Sequence, residues 1–420
     1  MTSLDPPTVP LAAIGFAPGA PVSGSDTAPR RSWLSGDLAR ALGVALGWQL
    51  LLTVLGAVLE RSLTPIGPWL PPQPLDLLTH TYRWDASWYA AVLHDGYVIA
   101  AQAPAFYPLF PALVWLVEQA SFGLLRFAGA GLVVNIVATW FTVAALVKIA
   151  RHFVRGRGGP WLVVAALLVS VPAFFMHVLY TEATFVCLGA CAYLFALRRR
   201  WALMGLCLIP LTATRLPAVL FLALCLLEFC RAKGWRPRAI VSRPLLWFPA
   251  GALGFAGYAL ALRALTGNPW AMFAAYGTTQ EWGKSFSPNI FATLGHEFAI
   301  DWDALTGRIP LDDLVLVDHL LPMAALLSLL AASVYVLVVL GSEGVPLGVF
   351  GLLSFVLYSA NGTLTSAHRY VLPCLVIYLA VVLAAQRSRV LRGVSIVYFA
   401  GSAVLQGMLY LLFVLGAWAG

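Results

Sequence analysis

The chain has 420 residues, 60% of them apolar and only 10% charged, with a formal net charge of +8. A soluble domain carries about 25% charged residues, so this chain could not cover its surface in water, and so apolar a sequence is neither disordered nor a disulfide scaffold. What remains is an all-α polytopic membrane protein with room for about ten or more spans of roughly 20 residues.

Residues 1–29 are rich in Pro, Gly, Ser, Thr and Ala without periodicity and read as a disordered cytoplasmic tail. The remainder, 30–420, reads as one transmembrane unit. Arg30, Arg31 and Arg40 flank a first apolar stretch at 39–59. It is longer than a signal-peptide core and lacks a small-residue cleavage site, so an uncleaved first span is expected. Further apolar stretches lie near 127–149, 161–180, 183–197, 201–214, 216–230, 245–266, 319–341, 345–360, 370–385 and 394–417. The six cysteines all sit inside apolar runs without metal-ligand spacing to histidine, and read as small core residues.

The stretch 105–118 decides the topology. If it does not cross, there are about eleven spans, and the basic clusters fall on one side, as the positive-inside bias requires. Those clusters are Arg30/Arg31/Arg40, Lys148/Arg151/Arg155/Arg157, Arg198/Arg199/Arg200, Arg231/Lys233/Arg236/Arg238/Arg243 and Arg387/Arg389/Arg392. The segment is therefore expected to be an aromatic juxtamembrane element, with Pro108 and Pro111 breaking regular helix. The beginning of the chain is then cytoplasmic, and two long loops, about 60–126 and 267–318, face outward. The basic excess becomes an orientation signal, so nucleic acid is not needed to explain it.

The densest polar constellation runs from His80 to Tyr89, followed by His94, Asp95 and Tyr97. Asp85 sits there between Trp84 and Trp88. An apolar interfacial setting makes a carboxylate a better proton acceptor near neutral pH, and aromatic walls such as Trp84, Trp88 and Tyr89 suit the apolar faces of sugar rings. The plainer alternative is an interfacial aromatic belt with a solvated Asp. Glu182 lies between two apolar runs, where an ionisable residue is costly unless paired or functional; capping the following helix is its other reading. Arg215 interrupts the apolar region 201–230 as a lone cation, either gripping a phosphate through its planar fork or snorkelling to the interface. Lys284 stands in a loop that reads either as a flexible wall of a site or as an ordinary wet loop. Arg369, flanked by His368 and Tyr370, opens an apolar run at its outer end, where the topology rule disfavours lone positive charge. Asn361-Gly362-Thr363 matches a glycosylation acceptor. The sequence contains no glycine-rich phosphate loop following a strand, so an ATP-driven pump is not expected.

Several blocks together resemble the PIG-V-type mannosyltransferases of the GT-C superfamily of membrane glycosyltransferases. They are Arg83-Trp84-Asp85-Ala86-Ser87-Trp88-Tyr89, Gly96-Tyr97, Ala105-Phe106-Tyr107-Pro108-Leu109-Phe110-Pro111, Tyr180-Thr181-Glu182-Ala183, Ala213-Thr214-Arg215 and Arg369-Tyr370 with Pro373. They recur in family order between about residues 40 and 390. The sequence departs at Lys284, where relatives often carry Arg, at Leu216-Pro217 after Arg215, and in having a single proline after Arg369-Tyr370.

The resemblance implies a GT-C-like fold whose large first extracytoplasmic loop bears juxtamembrane helices. It also implies a polyprenyl- or dolichyl-phosphate sugar donor, mannose in most relatives, used on the non-cytoplasmic face. Asp85 maps to the catalytic base. Arg83, Trp84, Trp88, Tyr89, Tyr107, Glu182, Arg215, Lys284, His368, Arg369 and Tyr370 are the expected substrate-binding set. The expected reaction is inverting transfer to a glycan or glycolipid acceptor, with membrane lipids as surroundings and no nucleic-acid partner. No cofactor is called for, and a divalent ion bridging Asp85 and the phosphate stays open. The Lys-poor, Ala/Leu/Val/Gly-rich composition points to a bacterial plasma membrane, or to the endoplasmic reticulum if the source is eukaryotic. A lipid or solute transporter and a non-catalytic assembly subunit are the alternatives.

Overall fold

Runs of apolar residues become helices here, and prolines, glycines and buried polar groups set how far each one extends. The computed structural model describes residues 31–64, 77–277 and 286–420; the expected tail 1–29 and Lys284 lie outside them. Regular structure among the described residues is helical throughout. In chain order the principal helices are α1 (Arg31–Ser62), α2 (Asp85–Asp95), α3 (Leu109–Ala120), α4 (Phe127–Phe153), α5 (Gly159–Leu168), α6 (Glu182–Leu197), α7 (Trp201–Thr212) and α8 (Ala218–Ala232). They continue as α9 (Arg243–Thr266), α10 (Ala271–Gly277), α11 (Ile290–Leu305), α12 (Asp313–Glu343), α13 (Val345–Ser359), the short α14 (Ala367–Tyr370), α15 (Leu375–Arg387) and α16 (Arg389–Val414).

Among the described residues five helices, α1, α4, α9, α12 and α16, are long and apolar enough to cross a membrane. This supports a multi-pass membrane protein and corrects the expected eleven spans. The helices α5, α6, α7, α13 and α15, each expected to cross, are apolar but only 10–17 residues long. The run 161–180 stops being α-helix at Leu168, and Pro172 leads into a 3₁₀ turn at Ala173–Met176. Pro373 likewise separates α14 from α15. Apolar composition marks burial in protein as readily as burial in lipid. The prolines of 105–118 also act differently from expectation. Pro108 caps α3 and Pro111 lies in its first turn, where a missing N–H costs nothing. They open a 12-residue helix rather than break one.

The central helix is α4. Its apolar window is 67% buried, against 28% for α1 and α16 and 17% for α9. It packs on α1, α3, α5 and α6, while α12 pairs with α13 and α15, and α16 with α15 and α1. Outward faces of α1 and α16 expose Leu50, Val54, Val397 and Val404, a surface that suits lipid and that water disfavours.

Two polar side chains of this core brace the irregular stretch 169–181 that leads to Glu182. Asn135 of α4 donates to the carbonyls of His177 and Val178 at 3.1 and 2.8 Å. Gln49 of α1 donates to Thr139 Oγ1 and to the Met176 carbonyl, at 3.0 and 3.1 Å. Both amide hydrogens are thereby used, so Gln49 Oε1 accepts from His177 Nδ1 at 2.7 Å. Non-helical backbone at this depth is tolerable only with such partners.

A second constraint fixes the chain just before Arg215. Thr212 Oγ1, at the end of α7, donates to the Gly251 carbonyl at 2.8 Å and accepts from the Phe255 N–H at 3.2 Å. The approach is close because residue 254 is glycine, where a Cβ would lie 1.9 Å from the Ile209 carbonyl oxygen. Gly254→Ala is expected to cost about 1–3 kcal/mol through overpacking, read as a lower unfolding midpoint in nanodiscs. Gly257→Ala, which faces open space, is expected to change stability by less than about 0.5 kcal/mol.

Candidate functional site

Four ionisable side chains from stretches far apart in the sequence meet in one alternating chain. Glu182 Oε1 meets Arg215 Nη1 at 2.5 Å and also pairs with Arg369 Nε. Arg369 Nη2 continues to Asp85 Oδ2 at 2.8 Å, and its Nη1 donates to the Gly420 carbonyl at 3.3 Å. Two guanidiniums and two carboxylates balance in formal charge. The Arg369 guanidinium also lies over the Tyr180 ring at 4.5 Å, and that of Arg215 over Tyr370 at 5.3 Å, contacts that favour a cation. The middle of the chain is sealed, with 2% of the Glu182 side chain and 4% of Arg369 exposed. Its ends are open, with 24% exposed at Asp85 and 18% at Arg215.

Local structure explains each position. Asp85 and Glu182 are the first residues of α2 and α6, where the helix dipole favours negative charge. The Tyr180 hydroxyl accepts from the Asp85 N–H at 3.3 Å and donates to the Arg83 carbonyl at 3.4 Å, which ties the two helix starts together. Arg215 follows the junction made by Thr212. Arg369 belongs to the tight turn α14, which begins after Ser366 at φ 68°.

The structure brings Asp85, Glu182, Arg215 and Arg369 together with Trp84, His368 and Tyr370. Trp84 Nε1 donates to the Ala417 carbonyl at 3.1 Å. His368 Nε2 lies 3.0 Å from the Ala419 carbonyl, and since a carbonyl only accepts, that nitrogen carries the hydrogen. The other expected residues that the structure describes lie outside the ion-pair chain itself. Arg83 is buried, with its Nη2 2.5 Å from Glu60 Oε1, and so fastens the loop to α1. Trp88 stacks on Phe106 at 5.5 Å, and Tyr89 meets Phe106 and Phe110 edge-on, its phenol within electrostatic reach of Glu182, Arg215, Asp85 and Arg369. Tyr107 packs on Tyr258 of α9 at 4.8 Å, in a separate small cluster.

Sequence reasoning quoted Tyr180 only as part of the Tyr180–Ala183 block, without a role, and missed Tyr276. The Tyr276 phenol, on α10, lies within electrostatic reach of Tyr370, Arg215, Asp85 and Arg369. Burial and then the Tyr370 phenol push it up to about 12, so it stays a neutral donor. Fourteen tyrosines in the chain gave no reason to single it out.

A narrow cleft opens beside Arg215, lined by Glu182, Phe185, Val186, Arg215, Pro217, Tyr358, Tyr370 and Pro373. It has a charged end and an apolar wall. Among the described residues no group of three His, Cys, Asp or Glu side chains is placed to hold a metal ion. Chemically, the arrangement offers a carboxylate able to take a proton and two cations able to hold an oxyanion. Compared with known proteins, the chain matches no family model and no curated protein.

Removing Glu182 leaves two guanidiniums without their shared counter-ion. Glu182→Gln is expected to destabilise by about 3–5 kcal/mol in denaturant unfolding. The double variant Glu182→Gln/Arg215→Gln is expected to fall short of the sum of the singles by at least about 0.5 kcal/mol; strict additivity would contradict the shared pairing.

Proposed function

We propose that the chain is a membrane glycosyltransferase of the GT-C type, moving a hexose, mannose by the resemblance noted above, from a polyprenyl-phosphate donor to a glycan or glycolipid hydroxyl with inversion. The observation that carries the reading is the chain Asp85–Arg369–Glu182–Arg215, open at both ends and lying beside a cleft with an apolar wall. A donor of this class carries an anionic phosphate joined to a long apolar tail; Arg215 at the cleft suits the first, and the outward apolar helix faces suit the second.

In this reading the incoming phosphate competes with Asp85 for the Arg369 Nη2 contact. The released carboxylate then accepts the proton of the acceptor hydroxyl. That oxygen forms a bond to the anomeric carbon on the face opposite the phosphate, the bond from carbon to phosphate oxygen breaks, and polyprenyl phosphate leaves with the electron pair. Such a leaving group needs cations rather than a general acid; Arg215 and Arg369 supply them. The neutral Tyr276 phenol adds a hydrogen-bond donor. The basic clusters named above favour a cytoplasmic position for the opposite face, with the site facing outward.

The test uses purified chain in nanodiscs with labelled polyprenyl-phosphate mannose and candidate acceptors. Asp85→Asn is expected to lower kcat by about 10²–10⁴-fold with a smaller change in donor KM, whereas Arg215→Lys chiefly raises donor KM. Undiminished transfer by Asp85→Asn would remove the base assignment. Movement of the lipid across vesicles without covalent transfer would mark the chain as a transporter instead.

A further inference from the structure

Among the described residues five non-glycine residues have positive φ: Trp84, Phe122, Arg199, Trp235 and Ser366. Three of them, Phe122, Arg199 and Trp235, lie in exposed turns. Trp84 (φ 50°) and Ser366 (φ 68°) differ, because Trp84 directly precedes Asp85 and Ser366 opens the turn that carries Arg369. Conformations of this kind persist only where the surroundings over-determine them. One segment, residues 416–420, reaches Trp84 on one side and the residues that follow Ser366 on the other. The Ala417 carbonyl accepts from Trp84, the Ala419 carbonyl from His368, and the Gly420 carbonyl from Arg369. The Trp418 ring meets Trp84 edge-on at 5.2 Å, and its Nε1 donates to Asp318 Oδ1 at 3.1 Å, which anchors the segment to α12. Glycine at 420 is required by the fit, since a Cβ there would lie 2.5 Å from His368 Nε2 and the backbone stands at φ +141°.

We propose that residues 416–420 are a clamp that positions Asp85 and Arg369 against each other, with Trp418 as its principal positioning residue. The clamp grips the residue before Asp85 on one side, and His368 and Arg369 themselves on the other, so one segment sets both ends of the ion pair. What the clamp serves rests on the transferase reading; the clamp itself is measurable without it.

The experiment is hydrogen exchange on the full chain in nanodiscs, paired with transfer from polyprenyl-phosphate mannose. Trp418→Ala is expected to speed amide exchange about tenfold or more at 84–88 and 367–371 while leaving α6 unchanged. Trp418→Phe keeps a ring against Trp84 but loses the Asp318 hydrogen bond, and is expected to fall between the parent and Trp418→Ala. Transfer should follow the same order, with kcat/KM reduced about tenfold in Trp418→Ala and partly restored in Trp418→Phe at an unchanged unfolding midpoint. Unaltered exchange at both loops overturns the clamp. A rise spread along the whole chain also overturns it, as does a Trp418→Phe variant as loose as Trp418→Ala. Local loosening at both loops in a protein that transfers no sugar in any form keeps the clamp and removes the transferase reading.

Discussion

A carboxylate almost sealed from solvent between two guanidiniums is the constraint on which the rest of this structure turns. Taking charges out of water costs several kcal/mol each, and the mutual attraction recovers that only when geometry is good and further hydrogen bonds are made. Glu182 therefore obliges three separate parts of the chain to converge: the start of α6, the turn after α7, and α14. Each part is held by contacts of its own. Gln49 and Asn135 brace the approach to Glu182, Thr212 fixes the approach to Arg215, and the rings of Tyr180 and Tyr370 lie beneath the guanidiniums.

Comparison with another buried pair separates architecture from working chemistry. Arg83 and Glu60 are closed off, with 3% and 1% of their side chains exposed, and they pin a loop to α1. The four-membered chain is different because its interior is closed and both ends are open. A ligand reaching it meets a carboxylate at one end and a guanidinium at the other, already oriented by the two charges between them.

Much of the site could be read in the sequence because isolated charges are conspicuous in an apolar chain. Asp85, Glu182, Arg215 and Arg369 all stood out in that way, and all four converge. Arg83 stood out equally but is consumed by Glu60, a partner 23 residues away whose proximity no spacing rule predicts. Tyr276 and Trp418 were hidden because aromatic residues are common throughout the chain, and Tyr180 was legible only as part of the Tyr180–Ala183 block. Their importance comes from tertiary position, as does that of the carbonyls of Ala417, Ala419 and Gly420, which have no side-chain signature. The helical class followed from composition, but the number of membrane-length helices did not. Apolarity reports burial, whereas helix length is set by local features such as Pro172 and Pro373.

The shortness of those apolar helices bears on the bilayer around them. A helix of 10 to 16 residues rises about 15 to 24 Å, well under a hydrocarbon core of about 30 Å. Both α5 and α7 present part of this short length outward, through Leu162 and Leu206. Hydrophobic mismatch of this kind is met by local thinning of the lipid and by snorkelling of flanking residues; Arg198, Arg199 and Arg200 stand at the α6–α7 turn, placed for that role. Beside such helices a bilayer is expected to thin, which brings its two headgroup layers closer together.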